Sequence, residues 1–251
     1  MCRLLGIYGR VAFWQEIAMG FRQQAEFGNI PPGEPVEPGH KDGWGMAVSN
    51  PDQTAMVPVQ RKLGSAYRSP SYRQAVYAIT HPPTVFLCHL RKASPKVAIT
   101  LSNVHPFFSN GWAMIHNGTI FQAETLPREP SLRLTSDGSD TEYFFHYLLT
   151  GLLAKHTKGT ELAILAEAVA SCAADYTALN SLLSEGANLF VIRNYRKYAD
   201  YYTLYYYVLP EGVIVCSEPL ESRHLNPVQW ESLPNQSLLR IHGSPPQIDA
   251  I

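Results

Sequence analysis

The order of patterned segments predicts an α+β fold of layered sheets with helices packed outside. Three observations carry it: short apolar runs of strand type open the chain, helical periodicity fills residues 139–183, and strand-type runs return from residue 189 onward. Arg3 to Tyr8 is a short, mostly apolar run that reads as a buried strand. Trp14, Ile17, Phe21 and Ala25 recur at helical spacing, predicting an amphipathic helix up to about Phe27. Pro31, Pro32, Pro35 and Pro38 exclude helix and central strand, so Ile30 to Pro38 reads as an extended loop. The glycine-rich stretch Gly39-His40-Lys41-Asp42-Gly43-Trp44-Gly45 reads as a turn leading into the strand Met46 to Val48. Val57 to Arg61 is the second strand of a hairpin.

Ser69-Pro70 predicts a helix start, with the serine as cap and proline in the first turn, and that helix ends near Ile79. Val85 to Leu90 is apolar on both faces, hence a central strand, and it delivers Arg91 at its end. Val97 to Ile99 and Gly111 to Ile115 flank the polar segment Ser102 to Phe107. Leu126 to Asp137 is irregular. Ser139-Asp140-Thr141-Glu142 has the form of a capping box and opens a helix running to about Leu153. A second helix carries Leu162, Leu165, Val169 and Cys172 on one face, and a third short one carries Leu179, Leu182 and Leu183. Strands follow at Leu189 to Arg193, Tyr201 to Leu209, Gly212 to Cys216 and Leu238 to Ile241. The tyrosine-rich run suits a hairpin with one exposed face.

Composition excludes several classes of function. With 45% hydrophobic residues in 251, the chain can bury a large core, and a formal net charge of -1 without any basic block argues against a nucleic-acid partner. Cys2, Cys88, Cys172 and Cys216 match no zinc spacing, and His40 with Asp42 lacks further ligands nearby, so no metal is expected. No apolar run is long enough to span a bilayer and no signal peptide is recognisable, which predicts a cytoplasmic protein in a reducing compartment, with no membrane partner.

The chemistry begins at Met1-Cys2. Removal of the initiator methionine, which a small second residue favours, would give Cys2 a thiol and a free α-amine on one residue, a nucleophile beside its own base. Three pieces further along complement it: Arg91 at the end of an apolar strand, Asn117-Gly118 after another, and Asp140 at a helix start. Each alone has a structural explanation. Asn-Gly is a common hairpin turn, Asp favours a helix N-terminus, and a terminal Arg is usually a surface charge. His105 reads as a buried, satisfied histidine fixing a loop, and Trp44 as packing under the site. Cys88 and His89 look like a second Cys–His pair, but neighbours on a strand point to opposite faces, which excludes them as a dyad.

Taken in order, these pieces resemble the class II glutamine amidotransferases of the N-terminal nucleophile hydrolase superfamily. The matching residues are Cys2 and Gly6, Asp42-Gly43-Trp44-Gly45, His89-Leu90-Arg91, Asn103-Val104-His105-Pro106-Phe107, His116-Asn117-Gly118 and Asp140-Thr141-Glu142. Cys216-Ser217-Glu218-Pro219-Leu220 is similar to the stand-alone members. The resemblance implies a four-layer α-β-β-α sandwich of two mainly antiparallel sheets, one amidotransferase domain over residues 1–251, and no synthase domain. It implies Cys2 as nucleophile, the Asn117 side chain and Gly118 N–H as oxyanion donors, and Arg91, Ser94 and Asp140 as the substrate's holders. The substrate would be glutamine or a γ-glutamyl compound, passing through a glutamyl thioester without a cofactor. An ammonia-accepting partner enzyme is a further expectation. Two other readings stay open: a γ-glutamyl peptide hydrolase with the same residues, and a non-catalytic glutamine-binding subunit of a synthase.

Overall fold

The computed structural model describes residues 2–32, 38–49, 55–94, 97–154 and 159–251. Among these residues the elements run, in order, β1 (Cys2–Gly9), α1 (Trp14–Phe21), α2 (Gln24–Phe27), β2 (Gly43–Ser49), β3 (Val57–Leu63), α3 (Pro70–Ala78), β4 (Val85–Arg91), β5 (Phe107–Ser109) and β6 (Trp112–Asn117). Then come α4 (Asp140–Ala154), α5 (Glu161–Ala170), β7 (Asn180–Ser184), β8 (Leu189–Arg193), β9 (Tyr205–Leu209), β10 (Gly212–Cys216), β11 (Glu231–Ser232), β12 (Ser237–His242) and β13 (Gln247–Ala250). The strands form two antiparallel sheets, one ordered β11-β9-β10-β1-β4-β2-β3 and the other β13-β12-β8-β7-β6-β5.

Strand alternation sorts the apolar side chains into three cores. On β1, Leu5 and Ile7 turn outward to join Trp14, Phe21, Trp44 and Phe86 beneath α1 and α3. Leu4 and Tyr8 turn inward and meet Leu87, Ile115, Leu182 and Val191 between the sheets. Met114, Leu183 and Phe190 face the other way, onto Phe144, Leu148 and Leu165 of α4 and α5. The result is the four-layer α-β-β-α arrangement. The predicted cap at Ser69 forms, its hydroxyl accepting from Tyr72 N at 3.2 Å.

The secondary structure departs from the sequence reading in three places. The helix expected over 14–27 breaks at Arg22 and Gln23 and restarts at Gln24, turning the Gln24 amide inward to donate to Glu218 O at 3.2 Å. The third short helix is instead β7, a strand between β6 and β8. A Leu179, Leu182, Leu183 pattern fits either period; pairing on both edges decides it, because Leu182 and Leu183 enter different cores on opposite faces. The strand expected from Tyr201 begins only at Tyr205, and Tyr201 and Tyr202 are buried in a cluster of their own. In the proline-rich loop, positions 33–37 lie outside the described residues.

Gly45 shows why the Asp42 to Gly45 stretch carries two glycines. A Cβ there would stand 2.1 Å from the His105 carbonyl oxygen, and one on Gly43 would stand 2.9 Å from Val104. Only a bare backbone lets the 104–105 segment lie this close. Gly45→Ala is therefore expected to destabilise by about 1–3 kcal/mol in urea unfolding. Gly20→Ala on α1, where the nearest atom to a new Cβ is 3.9 Å away, should be neutral or stabilising by up to about 1 kcal/mol.

Candidate active site

The ends of four strands meet at one rim of the inter-sheet layer. Cys2 begins β1 and is paired with Arg91, the last residue of β4, and Arg91 is paired in turn with Gly43 at the start of β2. Asn117 ends β6 in the opposite sheet. Between them lies a cavity of about 490 Å³ lined by Cys2, Arg91, Ser94, Gly118 and Asp140, among others.

Cys2 is buried, with its sulfur 3.9 Å from Lys92 O. Burial pushes the thiol up. The positive charge of the chain's amino terminus, the His89 imidazole and the Lys92 backbone act the other way and prevail, so the pKa falls from 9.0 to about 6. The other cysteines behave oppositely: burial raises Cys88 and Cys216 to about 12, and burial raises Cys172 as well. The backbone nitrogen of Cys2 donates to Asn117 Oδ1 at 2.8 Å, across the two sheets. This bond fixes the amide's orientation, since the oxygen faces the donor. Asn117 Nδ2 is thereby left buried and without a partner. Gly118 follows where a Cβ would stand 1.9 Å from Ala178 O and 2.8 Å from His116 Nε2.

Arg91 is buried, and its Nη2 donates to Ala98 O at 3.2 Å. Its Nη1 is buried and makes no hydrogen bond, and Arg91 is among the residues that line the cavity. Asp140, the first residue of α4, accepts from Ile120 N at 2.9 Å and from Thr141 N at 2.8 Å. Ser94 Oγ lies 3.4 Å from Thr119 Oγ1. All six predicted site residues, Cys2, Arg91, Ser94, Asn117, Gly118 and Asp140, thus converge on one rim.

The capping box is not formed as expected. The Glu142 carboxylate reaches past Ser139 and accepts from Thr135 N and Thr135 Oγ1 at 2.8 and 2.7 Å and from Ser136 N at 2.8 Å. It ties the preceding loop to α4, and that loop supplies Asp137 and Gly138 to the cavity wall. Trp44 is also corrected. It packs against Tyr72 on the helix-covered face of its sheet, away from the cavity. His105 is buried as expected, its Nδ1 accepting from His116 N at 3.3 Å.

Sequence reasoning missed two contributors. Asp42 Oδ2 accepts from Ala93 N at 2.7 Å, and Asp42 N donates to Arg91 O at 3.0 Å, so the turn after Arg91 hangs on this carboxylate. The signal was available, since Asp before glycine commonly binds nearby backbone amides. The second is Arg3. It is buried over the Tyr201 ring at 4.6 Å and ion-paired with Glu218. Ser217 Oγ accepts from Leu4 N at 2.9 Å, so Ser217-Glu218 holds the start of β1 from outside. Among the described residues, no group of three or more His, Cys, Asp or Glu is placed to hold a metal, and no helix is long and apolar enough to cross a membrane.

A family model described as class-II glutamine amidotransferases matches residues 1–209. The chain belongs to the class-II glutamine amidotransferase family. Solved structures of similar fold include a "glutamine aminotransferase class-II domain protein" from Silicibacter pomeroyi, at 19% identity and TM-score 0.63, covering 99% of this chain and 98% of that one. A predicted glutamine amidotransferase from Pseudomonas aeruginosa is similar at 18% identity and TM-score 0.55, covering 95% and 96%. The glutamine phosphoribosylpyrophosphate amidotransferase of B. subtilis is similar at 15% identity and TM-score 0.61, covering 99% of this chain and 49% of that one. An uncharacterised protein of Methanocaldococcus jannaschii is 26% identical over 204 residues, which are 78% of this chain and 52% of the relative. The chain thus spans about half the length of the curated relative it matches. The chain accordingly shares with these structures a fold of two antiparallel sheets with helices packed outside.

The lowered Cys2 pKa gives a direct prediction. Alkylation of Cys2 by a neutral electrophile should rise with pH through a midpoint near 6 and level off well above it, because only the thiolate reacts. The midpoint is read from site-resolved mass spectrometry across a pH series, and a midpoint near that of a free thiol contradicts the assignment.

Proposed function

We propose that this amidotransferase domain hydrolyses the γ-amide of glutamine or of a γ-glutamyl compound, with Cys2 as nucleophile. One observation carries the reading: the Asn117 amide is divided between its oxygen, which accepts from the Cys2 nitrogen, and its Nδ2, which is buried and makes no hydrogen bond. A buried donor kept without a partner costs free energy in the resting protein, and the cost is recovered when an oxyanion forms next to it.

In this reading the sulfur attacks the amide carbon. Asn117 Nδ2 and the Gly118 N–H receive the developing negative charge. The α-amine of processed Cys2 takes the thiol proton and returns it to departing ammonia or amine, and water then releases glutamate from the thioester. Arg91, whose Nη1 makes no hydrogen bond within the protein, holds the substrate's α-carboxylate, with Ser94 alongside. Asp140 faces the substrate's ammonium, held by two backbone amides that fix where the charge sits.

The cavity of about 490 Å³ favours γ-glutamyl compounds with a substituted amide alongside glutamine itself, since it falls in the range of about 300–1,000 Å³ that admits ligands larger than a free amino acid. Ammonia released from glutamine passes to water or to a separate acceptor enzyme.

Three variants test the roles. Cys2→Ala should abolish turnover yet still bind glutamate in calorimetry; turnover equal to wild type would falsify the nucleophile. Asn117→Ala should lower kcat by about 10²–10³. Arg91→Ala should act mainly through KM, whereas a variant unchanged in KM for glutamine would remove Arg91 from substrate binding. A panel of glutamine and γ-glutamyl amides, assayed for free glutamate, ranks the leaving groups.

A further inference from the structure

A second connection between the nucleophile strand and the segment after β6 runs through two tyrosines. Tyr201 and Tyr202 sit side by side between β8 and β9, their ring centroids 4.9 Å apart in an edge-to-face contact. Both are buried, and neither belongs to a strand. The turn that presents them is closed by Tyr201 N and Tyr202 N, which donate to Tyr198 O at 2.9 and 3.0 Å. Tyr202 O accepts from Asn180 Nδ2 at 3.0 Å and from Arg193 Nε at 3.2 Å, so the turn is anchored to β7 and β8. The two hydroxyls go to different segments.

Tyr201 Oη donates to Cys2 O at 3.5 Å, a long bond whose geometry is held by other contacts. The Arg3 guanidinium lies over the ring at 4.6 Å, and His40 Nε2 is 3.3 Å from the hydroxyl. His40 Nδ1 is 3.1 Å from Gln24 O and therefore donates, which leaves Nε2 as a second acceptor for the same hydroxyl hydrogen. Tyr202 Oη lies 2.8 Å from Thr177 Oγ1. That Thr177 oxygen accepts from Thr119 N at 2.9 Å, and Thr177 N donates back to Thr119 O at 2.9 Å. Thr119 is thus held through its N–H and its carbonyl by one residue. It follows Gly118, whose Cβ, if present, would stand 1.9 Å from Ala178 O. The Gly118-Thr119 backbone is pressed onto Thr177-Ala178, and a side-chain hydroxyl sets the Thr119 N–H.

We infer that Thr177, backed by Tyr202, is a positioning residue for the Gly118 N–H, and that Tyr201 ties the carbonyl of Cys2 to the same turn. This rests on the reading of Cys2 as nucleophile and of the Gly118 N–H as oxyanion donor. The three side chains act through distance and direction, not on the reacting atoms. An oxyanion donor helps only when its hydrogen points at the place where charge develops, and a misplacement of about 1 Å can cost about 10²-fold. Gly118 has no side chain to pack, so its position is set by what holds the residues on either side of it. The bond from Cys2 N to Asn117 Oδ1 ties the residue before Gly118 to the nucleophile. The chain of contacts from Cys2 O through Tyr201, Tyr202 and Thr177 ties the residue after it.

Two variants separate shape from hydrogen bonding. Thr177→Val keeps the outline of the side chain and removes its hydroxyl, whereas Thr177→Ser keeps the hydroxyl. Thr177→Val should lower kcat for glutamine or a γ-glutamyl amide by about tenfold with KM within about twofold of wild type, and Thr177→Ser should restore most of the loss. A Thr177→Val protein that melts lower yet keeps the wild-type kcat per folded molecule overturns the inference, because a purely structural hydroxyl gives that result. A change confined to KM overturns it as well. If Thr177→Val does not fold, Tyr202→Phe takes its place and should lower kcat severalfold; a wild-type kcat is the contrary result. Crystal structures of the unliganded proteins read the same point without substrate. The separation of Gly118 N from Cys2 Sγ should change by about 0.5 Å or more in Thr177→Val and return in Thr177→Ser, and an unchanged separation overturns the inference. A wild-type protein that turns over neither glutamine nor a γ-glutamyl amide refutes the proposed reaction, and the crystallographic comparison still decides the role of Thr177.

Discussion

The hydrogen bond from Cys2 N to Asn117 Oδ1 joins the first residue of β1 to the last residue of β6, and so ties one sheet to the other at the rim where the cavity opens. The placing of Cys2 against the opposite sheet depends on that contact. It sets the position of Cys2 relative to the opposite strand, and it dictates which end of the Asn117 amide faces the Cys2 nitrogen. Two packed sheets move relative to each other only by repacking the core between them, and that core, from Leu4 and Leu87 to Leu182 and Val191, is fully buried. The site is thereby built on strand ends rather than on free loops, which is where precise geometry is easiest to hold.

Around this contact the protein carries several polar groups at a cost to stability. Arg91 Nη1, Asn117 Nδ2 and His89 Nδ1 are all buried and unpartnered, and all lie at or just behind the same rim. A buried polar atom without a partner costs free energy unless another group comes to satisfy it. The compensating contacts lie one layer outward. Arg3 with Glu218 and Tyr201 secures the back of β1, Asp42 secures the turn after Arg91, and Glu142 secures the loop before α4. Each of these outer groups makes ion pairs or hydrogen bonds to segments far from it in the chain or to the loop before it.

Much of this was legible in the sequence because strands announce themselves by alternation and because the site residues sit at strand or helix ends. Arg91 closes an apolar run, Asn117-Gly118 closes another, and Asp140 opens a helix; the structure brings these ends together. What was illegible involves contacts between segments far apart in the chain. Trp44 could not be assigned to a face until β2 was paired with β4, because a strand buried on both sides has no polar face to mark its orientation. Leu179 to Leu183 reads as helix or strand from its own residues, and only the edges of β6 and β8 settle it. Glu142 has the spacing of a capping box, yet the loop at Thr135 and Ser136 offers three donors and outcompetes the helix's own amide.

His89 illustrates the same limit from the other direction. Alternation correctly separates it from Cys88, and a reading confined to neighbours in sequence stops there. Antiparallel pairing gives it a different cysteine, because β1 runs against β4 and places Cys2 and Leu4 on the face that His89 shares. The consequence is chemical as well as geometric. A thiol at the end of a buried strand would ordinarily be raised by desolvation, as Cys88 and Cys216 are on the other face of the same sheet. Cys2 has comparable burial and the opposite shift, so the difference comes from its neighbours: the amino-terminal charge and the imidazole of His89. Both neighbours follow from placing the cysteine at the very start of a central strand, where it can have a terminal charge on one side and a paired strand on the other.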